Sequence, residues 1–326
     1  MLLNKLGSFR YLLAAVALST GTMTALPAPA QVKGLELIAP ASPGGGWDQH
    51  ARAVQQILQK LDLASGVQVA NIPGAGGTIG LAQFAQEANG DPSKLMVGGY
   101  VMVGAILTNK SPVTLDAVTP IARLTGEYEV IVVPAASELK SLADLVAKLK
   151  ADPGSVSWAG GSAGGTDHIT AGLFAKTVGA DPKLVNYIAF SGGGEALAAV
   201  LGNQVTVGIS GYGEFQSQVE AGALRVLGVS SPERIDIVDA PTFKEGGVDL
   251  SIQNWRGIWA GPGLSADQVA AITADVEKTV NSETWKKVLA DKGWINTWLA
   301  GDEFKAQLAT EIENTTAILK EIGLVS

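Results

Sequence analysis

The chain has 326 residues, with 23 basic, 31 acidic and no cysteine side chains, so its formal net charge is −8. This acidity argues against nucleic acid or an anionic membrane surface as a partner, and the absence of cysteine excludes disulfides. A chain of this length can bury a sizeable core without them, and we expect two domains.

The first thirty residues, 1–30, have the pattern of a secretory signal peptide. Two basic residues precede the short apolar run Tyr11 to Leu18, and Ala28-Pro29-Ala30 places small residues at the −3 and −1 positions of a cleavage site. The apolar run is too short to span a bilayer. We therefore expect cleavage after Ala30 and a mature protein in the periplasm, with 21 basic and 31 acidic side chains.

The first turn of the mature chain contains three consecutive glycines. An expected strand over Leu35 to Ile38 leads into Pro43-Gly44-Gly45-Gly46-Trp47-Asp48, and an amphipathic helix follows. Glycine has no Cβ to keep a ligand off the backbone, and a helix N-terminus offers unpaired N–H groups and the positive end of its dipole. The turn therefore predicts an anion site, because a tight connection that only relieves strain needs fewer glycines.

Three further glycine-rich turns follow expected strands. They are Pro73 to Thr78 after Val67 to Asn71, Gly160 to Thr166 after Val156 to Ala159, and Ser191 to Glu195 after Val185 to Phe190. The carboxyl ends of neighbouring parallel strands lie at one edge of a sheet. The four turns together therefore predict one shared ligand crevice.

Apolar runs alternate with helical patterns along the chain, which predicts an α/β fold with mainly parallel sheets. Further strands are expected at Leu95 to Gly98, Val130 to Val133, Val205 to Ile209, Leu224 to Val229 and Ile258 to Ala260. Further helices are expected around Leu142 to Leu149, from near Glu214, from Ser265, and over Ser282 to Lys292 and Asp302 to Ile322. We expect residues 31–133 and 235–326 to form domain 1 and residues 134–234 to form domain 2, with the ligand in the cleft between these lobes.

One turn also matches the nucleophile elbow of hydrolases. Gly160-Gly161-Ser162-Ala163-Gly164 fits the pattern G-x-S-x-G, so an exported serine esterase that uses Ser162 is the alternative function. A catalytic triad would need a histidine well downstream of Ser162. The only histidines are His50 and His168, and His168 lies just six residues after the serine. We therefore favour a binding protein with no catalytic residues.

The sequence patterns for a cofactor site or a metal site are weaker than the pattern for a serine hydrolase. The run Gly74 to Gly80 resembles a dinucleotide-binding loop, but no acidic residue ends a following strand about twenty positions on. Asp48 with His50, or Asp167 with His168, would supply few metal ligands, and both pairs are expected to be capping or surface residues. We expect no cofactor and no metal.

The candidate ligand-binding residues combine the turns with possible wall residues. They are Pro43, Gly44, Gly45, Gly46, Trp47, Asp48, Gly77, Thr78, Tyr100, Gly161, Ser162, Thr166, Asp167, His168, Gly194, Tyr212 and Arg256. Trp47, Tyr100 and Tyr212 are each as well explained by a place in the core, and Asp48 by the first turn of a helix. Arg256 is the sharpest candidate, because a guanidinium can bind a carboxylate through two hydrogen bonds.

Taken in order, these motifs resemble the extracytoplasmic solute receptors of tripartite tricarboxylate transporters. The resemblance rests on Pro43 to Asp48, Pro73 to Gly80, Gly160 to His168, Gly192 to Leu197 and Ala223 to Leu227. It spans the whole mature chain. Asn109 to Thr114 and Asn254 to Gly257 look like the citrate and tricarboxylate branch.

The resemblance implies a two-domain periplasmic-binding-protein fold, type II-like, that closes on a di- or tricarboxylate and delivers it to a two-component membrane permease. In that family, backbone amides, hydroxyls and ordered water of the first two glycine turns typically hold one ligand carboxylate. Many members also carry an acidic residue and an amide just after the strand that corresponds to Val205 to Ile209. Here those positions read Ser210-Gly211-Tyr212, so the ligands of those members do not transfer to this chain. We expect a monomeric receptor rather than an enzyme.

Overall fold

The computed structural model describes residues 32–326, so the expected signal peptide lies outside the described residues. The strands are β1 (Val32–Lys33), β2 (Glu36–Ala39), β3 (Ala64–Ser65), β4 (Gln68–Asn71), β5 (Lys94–Gly99), β6 (Thr119–Pro134), β7 (Ser157–Gly160), β8 (Asn186–Ala189), β9 (Val207–Gly211), β10 (Leu224–Val229), β11 (Gln253–Ala260) and β12 (Ile295–Ala300). The α-helices are α1 (Gly46–Lys60), α2 (Thr78–Glu87), α3 (Tyr100–Thr108), α4 (Leu142–Ala151), α5 (Thr166–Thr177), α6 (Gly193–Leu201), α7 (Tyr212–Glu220), α8 (Ala266–Val280), α9 (Glu283–Lys292) and α10 (Gly301–Glu321). Within residues 32–326, no helix combines the length and the apolar character that crossing a bilayer requires.

The main sheet is mixed, and its strands follow the order β4-β2-β5-β11-β6-β9-β7-β8. The first strand group, β2, β4 and β5, pairs in parallel. The second strand group, β7, β8 and β9, also pairs in parallel. Between the groups, β11 and β6 run antiparallel to each other and to their outer neighbours, and β10 and β12 add antiparallel pairs to β6. The two parallel groups correspond to the α/β units that the sequence predicts.

Strand β6 connects the two groups. It has 16 residues, whereas the sequence predicted a strand only over Val130 to Val133. Gly126, in its first half, lies opposite Trp255 of β11, and Val130, in its second half, lies opposite Ser210 of β9. A single continuous strand therefore holds both groups in one sheet.

The core contacts of residues 243–252 bear on where the chain returns from the second strand group to the first. Phe243 and Val248, which follow β10, pack into a core with Trp158 of the second group. Ile252 is the next residue that packs against the core of the first group. We therefore propose that the second domain extends to about residue 250, and that the return lies near Ile252 rather than at residues 230–235.

Candidate functional site

All four glycine turns reach one cavity between the two strand groups. Its walls are formed by Pro40, Ala41, Gly45, Gly46, Trp47, Gly74, Gly77, Val101, Gly161, Ser162, Gly165, Asp167, Ser191, Gly192, Gly193, Ser210, Glu214, Asn254 and Arg256. The turns after β2 and β4 supply one side, and the turns after β7 and β8 supply the other. The shared crevice at the carboxyl ends of the strands is therefore present as a cavity.

Four helices begin at this cavity without a side-chain cap. The residues before their first turns are Gly45 for α1, Gly77 for α2, Gly165 for α5 and Gly192 for α6, and none of them can supply a capping side chain. The first N–H groups of a helix have no partner within the helix, and the helix dipole adds partial positive charge there. The cavity wall can therefore bind an anion such as a carboxylate through backbone amides.

Carboxylates within the chain hold three of these turns in shape. The bonds run from Gly44 N–H to Asp48 Oδ2 (2.9 Å), from Gly161 N–H to Asp167 Oδ2 (2.6 Å) and from Ser191 N–H to Glu195 Oε2 (3.1 Å). Asp48 also accepts from Asn71 (3.0 Å) and pairs with Arg52 (2.9 Å). Burial alone would raise the pKa of Asp48, but hydrogen bonds from Arg52, Gly44 and Asn71 bring it below its usual value. Asp48 thus stabilises the first turn but does not itself line the cavity.

Two glycines of the turns lie against charged side chains. A Cβ on Gly46 would overlap the guanidinium of Arg256, and a Cβ on Gly193 would overlap the carboxyl group of Glu214. The glycines therefore let α1 and α6 bring their N-termini directly onto these two side chains.

Four carboxyl groups and one guanidinium lie close together, and three of these five side chains, those of Asp167, Glu214 and Arg256, line the cavity. The five groups belong to Glu127 and Glu129 on β6, Asp167 on α5, Glu214 on α7 and Arg256 on β11. Arg256 forms an ion pair with Glu127, and only 3% and 4% of these side chains are exposed. Trp294 Nε1 donates a second hydrogen bond to Glu127 (2.9 Å). The positive charge of Arg256 is thus already shared with one carboxylate.

The other three carboxyl groups have raised pKa values. Burial raises the pKa of Asp167 to about 6 and that of Glu214 to about 7, and the charge of Glu127 adds to both shifts. Burial, followed by the charge of Asp167, raises the pKa of Glu129 well above its ordinary value. Part of this cluster therefore holds protons near neutral pH.

We expect Asp167 and Glu214 to stabilise the folded protein more at pH 5 than at pH 8. The pKa values of Asp167 and Glu214 in the folded chain, about 6 and about 7, exceed their ordinary values of 3.8 and 4.5. Their stabilising contribution is complete below those ordinary values and is lost as the pH rises through 6 and 7. A shift of two pKa units corresponds to about 3 kcal/mol for one group.

Urea titrations at pH 5, 6, 7 and 8 would measure this change in the free energy of unfolding. In Glu214→Gln, the contribution of Glu214, which changes between pH 5 and about 7, should disappear. The wild-type curve also contains the opposite contribution of His50 and His168, whose pKa values are lowered to about 3 and about 4, so the test is the difference between the wild type and Glu214→Gln. A difference that stays constant between pH 5 and 8 would contradict the raised pKa of Glu214.

The structure brings together eight of the candidate residues. Gly45, Gly46, Trp47, Gly77, Gly161, Ser162, Asp167 and Arg256 line the cavity. The remaining candidates, Pro43, Gly44, Asp48, Thr78, Tyr100, Thr166, His168, Gly194 and Tyr212, lie outside its walls.

Packing accounts for the candidates that lie outside. Tyr100 is buried in the core of the first group, where its hydroxyl bonds with Thr315 of α10. Tyr212 is buried in a core of the second group. Thr78 donates to the carbonyl of Ala75 (2.9 Å) within its own turn. Thr166 is fully buried at the start of α5, while Pro43, Gly44 and Gly194 lie at the protein surface.

The geometry gives no support to a serine esterase. His168 Nδ1 accepts a hydrogen bond from Gly164 N–H (3.2 Å), its ring stacks on Tyr187, and burial lowers its pKa to about 4. His50 is fully buried, and burial lowers its pKa to about 3. Over residues 32–326, neither ring forms a hydrogen bond with Ser162. The same span holds no cluster of three or more His, Asp or Glu side chains arranged for a metal ion.

Eleven wall residues were not among the candidates. They are Pro40, Ala41, Gly74, Val101, Gly165, Ser191, Gly192, Gly193, Ser210, Glu214 and Asn254. Two local patterns could have identified the polar ones. Glu214 lies four residues after Ser210, whose Oγ donates to Glu214 Oε2 (3.0 Å). Asn254 lies two residues before Arg256 on β11, so both side chains are on one face of the sheet.

Similarity to known proteins shows the family to which the chain belongs. The chain matches the family described as "Tripartite tricarboxylate transporter family receptor" over residues 50–324. It is 27% identical over 294 residues to protein BugT of Bordetella pertussis, and the match covers 89% of each chain. A TctC solute-binding protein from Polaromonas is 26% identical with a TM-score of 0.62, and the match covers 89% of this chain and 98% of that one. MatC from Rhodopseudomonas palustris, solved with bound malate, has a TM-score of 0.75 at 22% identity, covering 89% and 99%. The chain therefore belongs to the receptors of the tripartite tricarboxylate transporter family.

Proposed function

We propose that this protein is a periplasmic receptor that captures a small organic acid and delivers it to a two-component membrane permease. The observation that carries the proposal is the convergence of four uncapped helix N-termini on one cavity. Hydrogen bonds to a charged group contribute about 1.5–3 kcal/mol each, so a few amides suffice to bind a carboxylate.

The charges at the cavity favour an acid with one or two carboxylates. Among the wall residues, Asp167 and Glu214 are acidic and Arg256 is basic. A third carboxylate would lie close to acidic side chains in a region of low dielectric, where like charges repel strongly. We therefore propose a ligand with one or two carboxylates rather than a tricarboxylate.

Binding is expected to bring the two strand groups together. The N-terminus of α1 belongs to the first group, and that of α6 belongs to the second. A Cβ on Gly45 would lie 3.8 Å from Cα of Gly192 and 3.9 Å from N of Gly193. A carboxylate held between these turns would bond to both groups, so that ligand binding stabilises the closed form. The permease could then recognise the closed form.

Thermal melting with a panel of acids tests the proposal. Malate, succinate and citrate should each be added to purified protein that has been unfolded, stripped of ligand and refolded. At a concentration one hundred times the dissociation constant, a ligand stabilises the folded state by about 2.7 kcal/mol. We expect this stabilisation with malate or succinate and a smaller effect with citrate. If no acid in the panel shifts the melting temperature, the proposal fails.

A further inference from the structure

Helix α5 packs against both strand groups. On one side, Phe174 lies in the core of the second group with Trp158. On the other side, Ile169 is fully buried in the core of the first group, and Leu173 packs against the same core. Ile169, Gly172 and Leu173 are three and four residues apart, so they lie on one face of the helix. This face of α5 therefore joins the two groups.

The first group meets this face with α3 and with the end of α10. A Cβ on Gly172 would lie 3.0 Å from Cδ1 and 3.3 Å from Cβ of Ile322, which directly follows α10 and is 1% exposed. A Cβ on Gly104 of α3 would overlap the carbonyl oxygen of Gly164, just before α5. We call the contact of α5 and its preceding turn with Gly104 and Ile322 the α5 joint. It is apolar and closely packed.

The first and fourth glycine turns make a different kind of contact between the groups. A Cβ on Gly192, before α6, would lie 3.6 Å from Cβ of Ser42 and 3.9 Å from Cα of Gly45. Ser42 Oγ donates to Glu195 Oε1 (3.4 Å), and this hydrogen bond is exposed to solvent. We call the contact of Ser42 with Gly192 and Glu195 the turn contact. It is made of glycine and polar groups, which bury little apolar surface.

Separating the groups costs different amounts of free energy at the two contacts. Parting the α5 joint exposes apolar side chains such as Ile169 and Ile322 to water, and the cost grows with the apolar area exposed. Parting the turn contact breaks one exposed hydrogen bond, and water then replaces each lost partner. The turn contact therefore separates more easily than the α5 joint.

We propose that the α5 joint stays closed while the turn contact opens and closes, so that the ligand enters between Ser42 and Gly192. The inference rests on the proposed function, because it describes the motion by which the receptor admits its ligand. Val101 of α3 and Gly165 before α5 both line the cavity. The joint keeps this part of the wall in place in the ligand-free protein, and a preformed wall lowers the cost of ordering the site.

Two engineered disulfides test the inference, because the chain has no cysteine of its own. Ser42→Cys with Gly192→Cys bridges the turn contact, and Gly172→Cys with Ile322→Cys bridges the α5 joint. The Cβ separations are 3.6 Å and 3.3 Å, close to the roughly 3.5–4.5 Å of a disulfide. Each pair, oxidised with glutathione disulfide, is compared with its own reduced form, so the effects of the substitutions themselves cancel.

Small-angle X-ray scattering measures the motion without any ligand. The protein is first unfolded, stripped of ligand and refolded. Oxidation of the turn pair should lower the radius of gyration of this ligand-free protein, because it holds the open form closed. Oxidation of the joint pair should leave the radius unchanged. A radius that does not change with the turn disulfide, or one that changes with the joint disulfide, would overturn the inference.

Release of bound malate provides the functional readout. When oxidation is carried out with malate bound, the turn disulfide should slow malate release at least about 100-fold relative to the reduced form, because the ligand cannot leave a cavity that stays closed. The joint disulfide should change the release rate less than about twofold. A joint disulfide that slows release as much as the turn disulfide would show that the groups part at α5.

The readouts separate the inference from the proposed function. If malate, succinate and citrate all fail to bind, the proposed function fails, and scattering still decides the inference. If the joint pair does not fold, hydrogen exchange in the turn pair takes its place. The N–H of Leu324 donates to the carbonyl of Leu319 (2.8 Å) beside the joint, so it should exchange equally slowly in the oxidised and reduced forms. Faster exchange in the reduced form would overturn the inference.

Discussion

Replacing Gly45 with valine should abolish organic-acid binding, with a loss of more than about 100-fold in affinity, while the chain still folds. Gly45 precedes α1 with φ −71° and ψ 168°, an extended conformation that valine adopts readily. Its Cβ would lie 3.3 Å from the carbonyl oxygen of Ser42 and 3.8 Å from Cα of Gly192. The valine methyls would therefore extend into the gap between the N-termini of α1 and α6, where the carboxylate is expected to bind.

Calorimetric titration with whichever acid stabilises the wild-type protein measures this loss. Gly154→Val is the matched control, because Gly154 is exposed on the second strand group and its Cβ would meet similar contacts, at 3.4 Å and 3.8 Å. Gly154→Val should retain full affinity, and both variants should melt within a few degrees of the wild type. Undiminished affinity in Gly45→Val would place the ligand outside the glycine turns.

The cavity lined by the glycine turns could be predicted from the sequence because each turn has a local sequence pattern. A strand, a glycine-rich turn and a helix N-terminus are contiguous in the chain, so each turn carries its own signal. The turns at Gly45, Gly77, Gly161 and Gly192 all reach the cavity. Within each strand group the turns lie side by side because the strands pair in parallel. The alternation of strands and helices along the sequence predicts such pairing.

The sequence could not predict which individual side chains line the cavity, because that depends on which face of a strand or helix is buried. Tyr100 and Tyr212 each begin a helix right after a strand, as a wall residue could, yet both rings turn into apolar cores. Glu127 and Glu129 alternate along β6 and are buried, so this part of the strand lacks the apolar run that marks a buried strand. Only the tertiary structure shows that acidic residues lie inside.

Helix α3 and strand β12 are two of the elements that the sequence did not predict, and the reasons are related. Helix α3 is apolar on nearly all sides, so it shows no amphipathic period, although it begins directly after β5. Strand β12 is half-exposed and pairs with β6 through an irregular register, so its sequence has little strand character. Helix α3 contacts α10, and strand β12 contacts β6, although the partners are far apart in the sequence. Contacts between residues so far apart leave no local sequence pattern.

Replacing Arg256 with methionine should lower the free energy of unfolding by about 3–5 kcal/mol at pH 8, because it leaves a buried carboxylate without its cation. Arg256 and Glu127 form a buried ion pair, and Arg256 is the positive charge nearest to Glu214 and Glu129. Methionine fills much of the same volume, so the loss would come from charge rather than from a cavity. Urea unfolding measures it.

The control uses the same substitution at an exposed pair. Arg234 and Glu245 form an ion pair at 2.9 Å with 58% and 45% of their side chains exposed, so Arg234→Met should cost less than about 1 kcal/mol.

At pH 5 the cost of Arg256→Met should shrink, since Glu214, with a pKa of about 7, is then protonated and no longer needs a cation. Adding Glu127→Gln should restore part of the loss, because glutamine carries no charge to leave unpaired. A pH-independent loss no larger than that of Arg234→Met would mean that the buried carboxyl groups are neutral without Arg256.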